Sequence, residues 1–384
     1  MITSVERSQA HRRRRREQVR RRRLALAAAA ALAFLGGLAV GAGGDSGKPP
    51  AREAGEPAPG ETPAPPPVDE LSLEQQVGRM VILRFAGTTP PGYVREALRE
   101  GRAAGAILFR DNVADPAQLR TLTRALRRAA PRALICVDQE GGAIRIVPWA
   151  EPERAAPEQQ AWGTVREDAE AAGRDLRAAG ISVTLAPVAD IPTVEGAAMA
   201  DRAFTTDPDA ATAAVAESIG GWHEAGIATT VKHFPGLGGA TVNTDEGTAV
   251  IDRTRDQLDD DLQPYVIAVN MGTEFVMVGH ATYPALDEEH IASQSPAIVD
   301  GLLRDRLGFE GVAMTDSLEA AAVQAVADVE EAAVASARAG IDVILTTGRG
   351  SYSRVYRALL DEARRDEAFR ERVRASAARV LAAQ

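Results

Sequence analysis

Ile227-Ala-Thr-Thr-Val231 runs directly into Lys232-His-Phe-Pro-Gly-Leu-Gly-Gly-Ala-Thr-Val-Asn-Thr-Asp245. The first stretch is apolar and rich in β-branched residues, which reads as a strand. The second opens with a cation and an imidazole and continues as a glycine-rich loop. A charged pair and a flexible loop at the carboxyl end of a strand is where α/β folds build their sites.

Seven more apolar runs of the same kind lie on either side, at residues 80–85, 105–109, 133–137, 182–187, 274–279, 311–315 and 342–345. Amphipathic helical patterns separate them, among them 115–129, 208–225, 295–307 and 326–339. Strands alternating with helices imply parallel pairing. Eight such units are the number that closes a (β/α)8 barrel. The rival, a doubly wound open sheet, carries a G-x-G-x-x-G fingerprint after its first strand, and none follows residues 80–85. Ser72-Leu-Glu-Gln75 is a capping box that starts a short helix ahead of the first strand. The segment 352–382 reads as one closing helical run. The α/β barrel is therefore expected over residues 69–384 as a single domain.

The chain has 384 residues with 45% hydrophobic and 26% charged content, ordinary for a globular protein. Aromatics are only 4%, so the core must be built from Ala, Val, Leu and Ile. The net charge of −10 is unevenly spread. Ten Arg against Glu6 and Glu17 make residues 1–42 +8, which leaves −18 on residues 43–384. An acidic folded part offers no clustered cations for phosphates, so nucleic acid is not an expected partner. Residues 1–23 are expected to stay in the cytoplasm. Residues 24–42 carry no charge and are long enough to cross a bilayer. They are expected to be a transmembrane anchor, or else a signal peptide cleaved after Ala42. Residues 43–68 contain eight prolines and read as an extended, disordered tether. The barrel is thus expected outside the cell, membrane-anchored or secreted, and monomeric.

Cys136 is the only cysteine and lies in an apolar run, so it reads as a buried small hydrophobe. The five histidines, His11, His223, His233, His280 and His290, form no His-Glu-x-x-His pair. That excludes a zinc-protease helix.

Polar groups collect at the expected strand ends. Asp138 follows the third run, Asp190 the fourth, Lys232 and His233 the fifth, His280 the sixth and Asp316 the seventh. Thr346-Thr347-Gly348 follows the eighth. Carboxylates, a lysine and an arginine can bracket sugar hydroxyls with charge-assisted hydrogen bonds. An ionised aspartate among them could attack an anomeric carbon, as retaining glycoside hydrolysis requires. A metal-dependent barrel enzyme using Asp138, Asp190 and His233 is a further reading of the same groups.

These residues carry a resemblance to the family 3 glycoside hydrolases, most closely their single-domain β-N-acetylhexosaminidases. It spans roughly residues 71–381. It rests on Val137-Asp-Gln-Glu-Gly-Gly142, Gly180-Ile-Ser-Val-Thr-Leu-Ala-Pro-Val-Ala-Asp190, Arg202-Ala-Phe-Thr-Thr-Asp-Pro208 and Lys232-His-Phe-Pro-Gly236. Met277-Val-Gly-His-Ala-Thr-Tyr-Pro284 and Gly308-Phe-Glu-Gly-Val-Ala-Met-Thr-Asp316 complete the set. The resemblance implies that Asp316 is the nucleophile. It also implies that Asp138, Arg202, Lys232 and His233 grip the hydroxyls and acetamido group of a terminal sugar. The implied activity is removal of terminal N-acetylglucosamine from cell-wall fragments or other glycans, with no metal or organic cofactor.

Two departures bear on the chemistry. Ala143-Ile-Arg-Ile146 stands where the family continues with arginines after its glycines, so one arginine is absent and Arg145 is displaced by one position. The family's loop after the Lys-His pair carries an Asp-x-His dyad whose histidine is the acid–base. This chain has Asn243 and Asp245 there, and Leu237 in place of another histidine. Imidazole titrates near 6.5, whereas aspartate, at about 3.9, needs desolvation or a like charge to serve as a general acid. Asp245 is therefore the expected acid–base, with Glu246 next to it. The alternative is a non-catalytic sugar-binding barrel that has lost its acid–base residue. Ordinary structural roles for two of these residues are a helix cap for Asp316 and an ion pair with Asp201 or Asp207 for Arg202.

Overall fold

The computed structural model describes residues 66–384. The expectations for the basic segment, the anchor and most of the proline-rich tether fall outside those residues. Eight parallel strands close into a barrel in simple chain order. They are β1 (Val81–Arg84), β2 (Gly105–Ile107), β3 (Leu134–Val137), β4 (Val183–Thr184), β5 (Ala228–Phe234), β6 (Phe275–Val278), β7 (Val312–Ser317) and β8 (Val343–Leu345). Each overlaps one of the eight runs read from the sequence.

Strand alternation divides the core in two. Ile82, Ile107, Leu134, Cys136, Val183, Phe275, Met277, Val312, Met314, Val343 and Leu345 point inward and fill the barrel. Their neighbours, such as Leu83, Ile135 and Val137, pack outward against the helices. Cys136 is one of the lumen residues, and burial pushes its thiol up, so it behaves as the expected inert hydrophobe.

The helices begin where the sequence signals place them. Both halves of the capping box at Ser72 and Gln75 form, at 3.3 and 3.1 Å, and start the helix Leu73–Arg79. Asp115 accepts from the amides of Ala117 and Gln118, and Asp207 accepts from that of Ala210. In both cases proline occupies the first helical position. The closing segment differs from the single run expected. It is two helices, Ser351–Arg365 and Glu367–Ala383. Asp366 breaks them because its backbone is extended and its carboxylate accepts from the Phe369 amide, capping the second helix.

Candidate active site

The barrel's carboxyl-terminal mouth holds a cavity of about 590 Å³. Asp138, Arg202, Lys232, His233, Asp245 and Asp316 all line it, so the structure brings these six candidate site residues to one place, while Asp190, His280 and Glu246 do not line it.

Strict alternation would not allow this. Consecutive strand residues face opposite sides, yet Lys232 and His233 both line the cavity. The register explains it: Val231 pairs with Val276 and Phe234 with Val278, three steps on β5 against two on β6. β7 does the same against β8, where Met314 pairs with Val343 and Ser317 with Leu345. Each mismatch is a bulge that re-aims side chains at a strand end. One bulge spans Lys232–His233 and the other spans Asp316.

The loop beyond β5 is seated by close backbone packing. Gly236 has φ 126°, in the region that favours glycine. A Cβ on Gly238 would lie 1.8 Å from the Ile191 carbonyl oxygen. Further along, the Ala321 amide donates to the Asp245 carbonyl at 3.3 Å, and the Ala322 amide donates to that of Thr244 at 3.0 Å. Asp245 is thereby tied by its main chain to the segment just after β7.

A buried charge cluster forms one side of the site. Lys232 Nζ lies 2.6 Å from Asp138 Oδ1 and 2.6 Å from Glu140 Oε1. Arg202 donates two hydrogen bonds to Glu140, at 2.9 and 2.7 Å. Arg202 is therefore not paired with Asp201 or Asp207. Burial alone would raise Glu140, but Lys232 and Arg202 outweigh it and hold the carboxyl down at about 2. Burial alone would lower Lys232, and Asp138 and Glu140 more than reverse that, so the ammonium stays charged.

Glu140 thus contributes stability that is full above its ordinary value and lost as pH falls toward 2. Glu140→Gln is expected to lower stability by about 3 kcal/mol at pH 7. The deficit should shrink as wild-type Glu140 protonates in acid. Melting temperatures of both proteins between pH 7 and 3 check this.

A second group surrounds Asp316. Asp190, buried, accepts from His233 Nδ1 at 2.7 Å, from the His233 amide at 3.2 Å and from the Leu237 amide at 2.6 Å. That fixes the imidazole so that its Nε2 lies 3.7 Å from Asp316 Oδ2. The Ser317 amide donates to Asp316 Oδ1 at 2.7 Å. His280 Nε2 donates to the Ser317 carbonyl at 3.0 Å, and its Nδ1 accepts from the Ser293 hydroxyl at 2.8 Å. Burial lowers His280, consistent with a neutral ring in that tautomer.

Asp316 and Asp245 are pushed apart. Burial raises Asp316, but His233, Lys232 and the Ser317 amide oppose it, and the carboxyl lies below its ordinary range. Asp245 is raised by desolvation and then by the negative charge of Asp316. Two carboxyls separated in this way divide into an anionic group and a proton carrier. Asp316 is not a helix cap, since β7 continues through Ser317 and the next helix, Ala321–Gln324, begins only after Ala320.

Sequence reading missed two residues. Glu140 sits two positions after Asp138, and an i, i+2 pair shares one face of an extended chain. That spacing was the available signal. Glu319 accepts from the Thr347 amide and hydroxyl, at 2.8 and 2.9 Å, and ties the ends of β7 and β8 together at the cavity wall. Nothing in its sequence setting sets it apart from a helical residue. Among the described residues, no group of three or more His, Cys, Asp and Glu side chains is placed to hold a metal ion.

A closed parallel barrel with a buried aspartate held anionic, a paired cluster of cations and carboxylates and a raised second aspartate at its mouth has the makings of a glycosidase-type site. Residues 72–383 match the Glycosyl hydrolase family 3 N terminal domain, and the chain belongs to that family. It is 35% identical over 278 residues to a beta-hexosaminidase of Stenotrophomonas maltophilia, covering 69% of this chain and 82% of that one. A solved β-N-acetylhexosaminidase of Beutenbergia cavernae superposes with a TM-score of 0.75 at 32% identity, over 82% of this chain and 98% of that one. A family 3 β-N-acetylglucosaminidase of a Paenibacillus species gives a TM-score of 0.76 at 32% identity. There the match covers 81% of this chain and 62% of the other, longer chain.

Proposed function

We propose that the protein is an exo-acting, retaining β-N-acetylhexosaminidase that removes terminal N-acetylglucosamine from a glycan. The observation that carries this is the divided pair of carboxyls, Asp316 held anionic and Asp245 raised, in one cavity with the Lys232–Glu140–Arg202 cluster. The similarity to proteins described as β-hexosaminidases supports the choice of sugar.

In this reading Asp138, Lys232 and Arg202 take the ring hydroxyls and the acetamido group. Asp316 attacks C1, the C1–O bond to the leaving group breaks, and Asp245 gives its proton to the departing oxygen. Water then attacks C1 of the glycosyl-aspartate while Asp245 takes back a proton, which releases the sugar and restores both carboxyls. His233, held by Asp190, keeps Asp316 ionised and aimed. The arginine-rich start, the uncharged stretch at 24–42 and the proline-rich tether support a barrel carried on the outer side of the membrane, with cell-wall fragments as substrate.

A 4-nitrophenyl β-N-acetylglucosaminide tests the reading. The expected result is turnover with the β-anomer as the first-formed product by NMR. Sugar binding without turnover of this activated substrate would instead assign the barrel to sugar capture.

His233→Ala is expected to lower kcat by about 10²-fold, since it removes a group that holds Asp316 anionic without removing the sugar's polar grip. The acid limb of the pH–rate profile should move upward, because Asp316 loses its largest opposing influence against burial. A kcat–pH series for the variant checks both.

A further inference from the structure

The two oxygens of the Asp316 carboxylate are supported from different sides. Oδ2 lies 3.7 Å from His233 Nε2, and Asp190 fixes that ring through Nδ1. Oδ1 accepts from the Ser317 amide at 2.7 Å. A bond from the very next amide in the chain depends on the angle at which that peptide is held. The strand ladder is a poor support here, because the bulge that ends β7 disrupts it beside Ser317. The Ser317 carbonyl is held by His280, at 3.0 Å. Its hydroxyl is held by residues beyond the strand.

Those residues form a closed ring of hydrogen bonds. The Glu319 amide donates to the Ser317 hydroxyl oxygen at 3.3 Å. The Ser317 hydroxyl lies 2.6 Å from the Thr347 hydroxyl and 3.2 Å from Glu319 Oε2. The Thr347 hydroxyl donates to Glu319 Oε2 at 2.9 Å, which returns the ring to the residue where it began. The Thr347 amide, donating to the same oxygen at 2.8 Å, steadies that carboxylate. An ionised carboxylate only accepts, so Glu319 sets the direction of the ring: Thr347 donates to Glu319, and Ser317 donates to Thr347. Burial would raise Glu319, but the Ser351 hydroxyl, the Thr347 and Gly348 amides and the Thr347 hydroxyl outweigh it, so the carboxyl stays ionised. The side chain packs against Gly348, where a Cβ would come within 2.7 Å of Glu319 Cγ.

Resting on the proposed hexosaminidase activity, we infer that Glu319 is a positioning residue for the nucleophile. Through Thr347 and the Ser317 hydroxyl it holds the Ser317 amide against Asp316 Oδ1, as Asp190 holds His233 beside the other oxygen. The tie between the ends of β7 and β8 is the means by which Asp316 is aimed.

Thr347→Val tests this, because it opens the ring with little change in size and none in charge, and keeps the amide bond to Glu319. His233, His280, Lys232 and Asp245, the titratable groups around Asp316, are left in place. With 4-nitrophenyl β-N-acetylglucosaminide, kcat is expected to fall about tenfold at a KM within about twofold of wild type. The acid limb of the kcat–pH profile should move upward, because a tilted Ser317 amide holds Asp316 down less well. A limb that stays in place would make the ring a strand staple only and overturn the inference. A raised KM at unchanged kcat would also overturn it, by making Thr347 a sugar contact. Glu319→Gln should lower kcat in the otherwise unaltered protein and add almost nothing in Ser317→Ala, where the ring has no hydroxyl to hold. Equal losses in both backgrounds would show that Glu319 does not act through Ser317. Failure of the activity itself looks different, because wild type then turns over no glycoside. Carbon-13 NMR titration of the Asp316 carboxyl in wild type and Thr347→Val still reads the inference in that case. An upward shift in the variant supports it, and coincident titrations overturn it.

Discussion

Asp316→Asn is expected to cut turnover of an aryl β-N-acetylglucosaminide by about 10⁴-fold or more while leaving sugar affinity within a few-fold of wild type. The carboxamide is nearly isosteric and keeps an oxygen to accept from the Ser317 amide, so the bulged end of β7 should hold its shape. It cannot form the glycosyl-enzyme. The grip proposed for the sugar comes from outside β7, through Asp138, Lys232 and Arg202 with its partner Glu140, and is untouched. The substitution should therefore separate binding from chemistry, as a kcat loss at nearly constant affinity. Mass spectrometry of wild type quenched during turnover supplies the positive counterpart: one sugar's mass on the peptide containing Asp316. A variant that retains more than a few per cent of wild-type kcat would remove Asp316 from the nucleophile's role.

Asp245→Ala is expected to act on the leaving group. For an alkyl glycoside, whose departing alkoxide needs a proton, the loss should be about 10²- to 10⁴-fold. For a dinitrophenyl glycoside, which leaves unaided, the first step should be nearly unaffected and the glycosyl-enzyme should accumulate. Azide, needing no base, should then restore turnover and yield a β-glycosyl azide. The pH profile gives an independent reading. Activity requires Asp316 ionised and Asp245 protonated, so it rises as Asp316 loses its proton, below the ordinary carboxyl range. It falls as Asp245 loses its own, above that range. The optimum is therefore expected on the acid side of neutrality, and the Ala variant should lose the alkaline limb on activated substrates. Equal losses on both leaving groups would sink the assignment.

The repeating units of this fold were open to reading because burial writes itself into composition. A parallel strand covered on both faces must be apolar throughout, as Leu134–Val137 is, and the helices between carry stripes and caps. The division of the closing segment at Asp366 was less visible, since one capping aspartate competes there with an otherwise continuous helical pattern. Which residues meet in the cavity was largely legible too. A charge at the end of an apolar strand costs desolvation that a bare scaffold does not require. How those residues converge was not legible. The bulges at Lys232–His233 and Asp316 depend on register with neighbouring strands, a relation that no single run contains. Glu140 went unnoticed for a related reason. Its importance comes from Arg202, 62 positions away, and a contact at that separation leaves no local mark. Asp190 is visible in the sequence as a charge near a strand end, but its three hydrogen bonds to His233 and Leu237 depend on two strands meeting.

The way the Asp245 loop is fastened bears on how this enzyme could change. Its ties to the segment after β7 run from backbone amides to backbone carbonyls, Ala321 to Asp245 and Ala322 to Thr244, so the anchor is indifferent to which side chains sit there. The proton donor proposed here is thus a replaceable part mounted on a fixed frame. Asn243→Asp with Asp245→His should keep the loop in place and give an active enzyme whose alkaline limb tracks an imidazole, near 6.5, rather than a carboxyl. Working pH would then be adjustable in small steps, by exchanging two side chains while the fold, the grip and the nucleophile stay as they are. A barrel exposed to surroundings of shifting acidity could follow them by that route without rebuilding its catalytic centre.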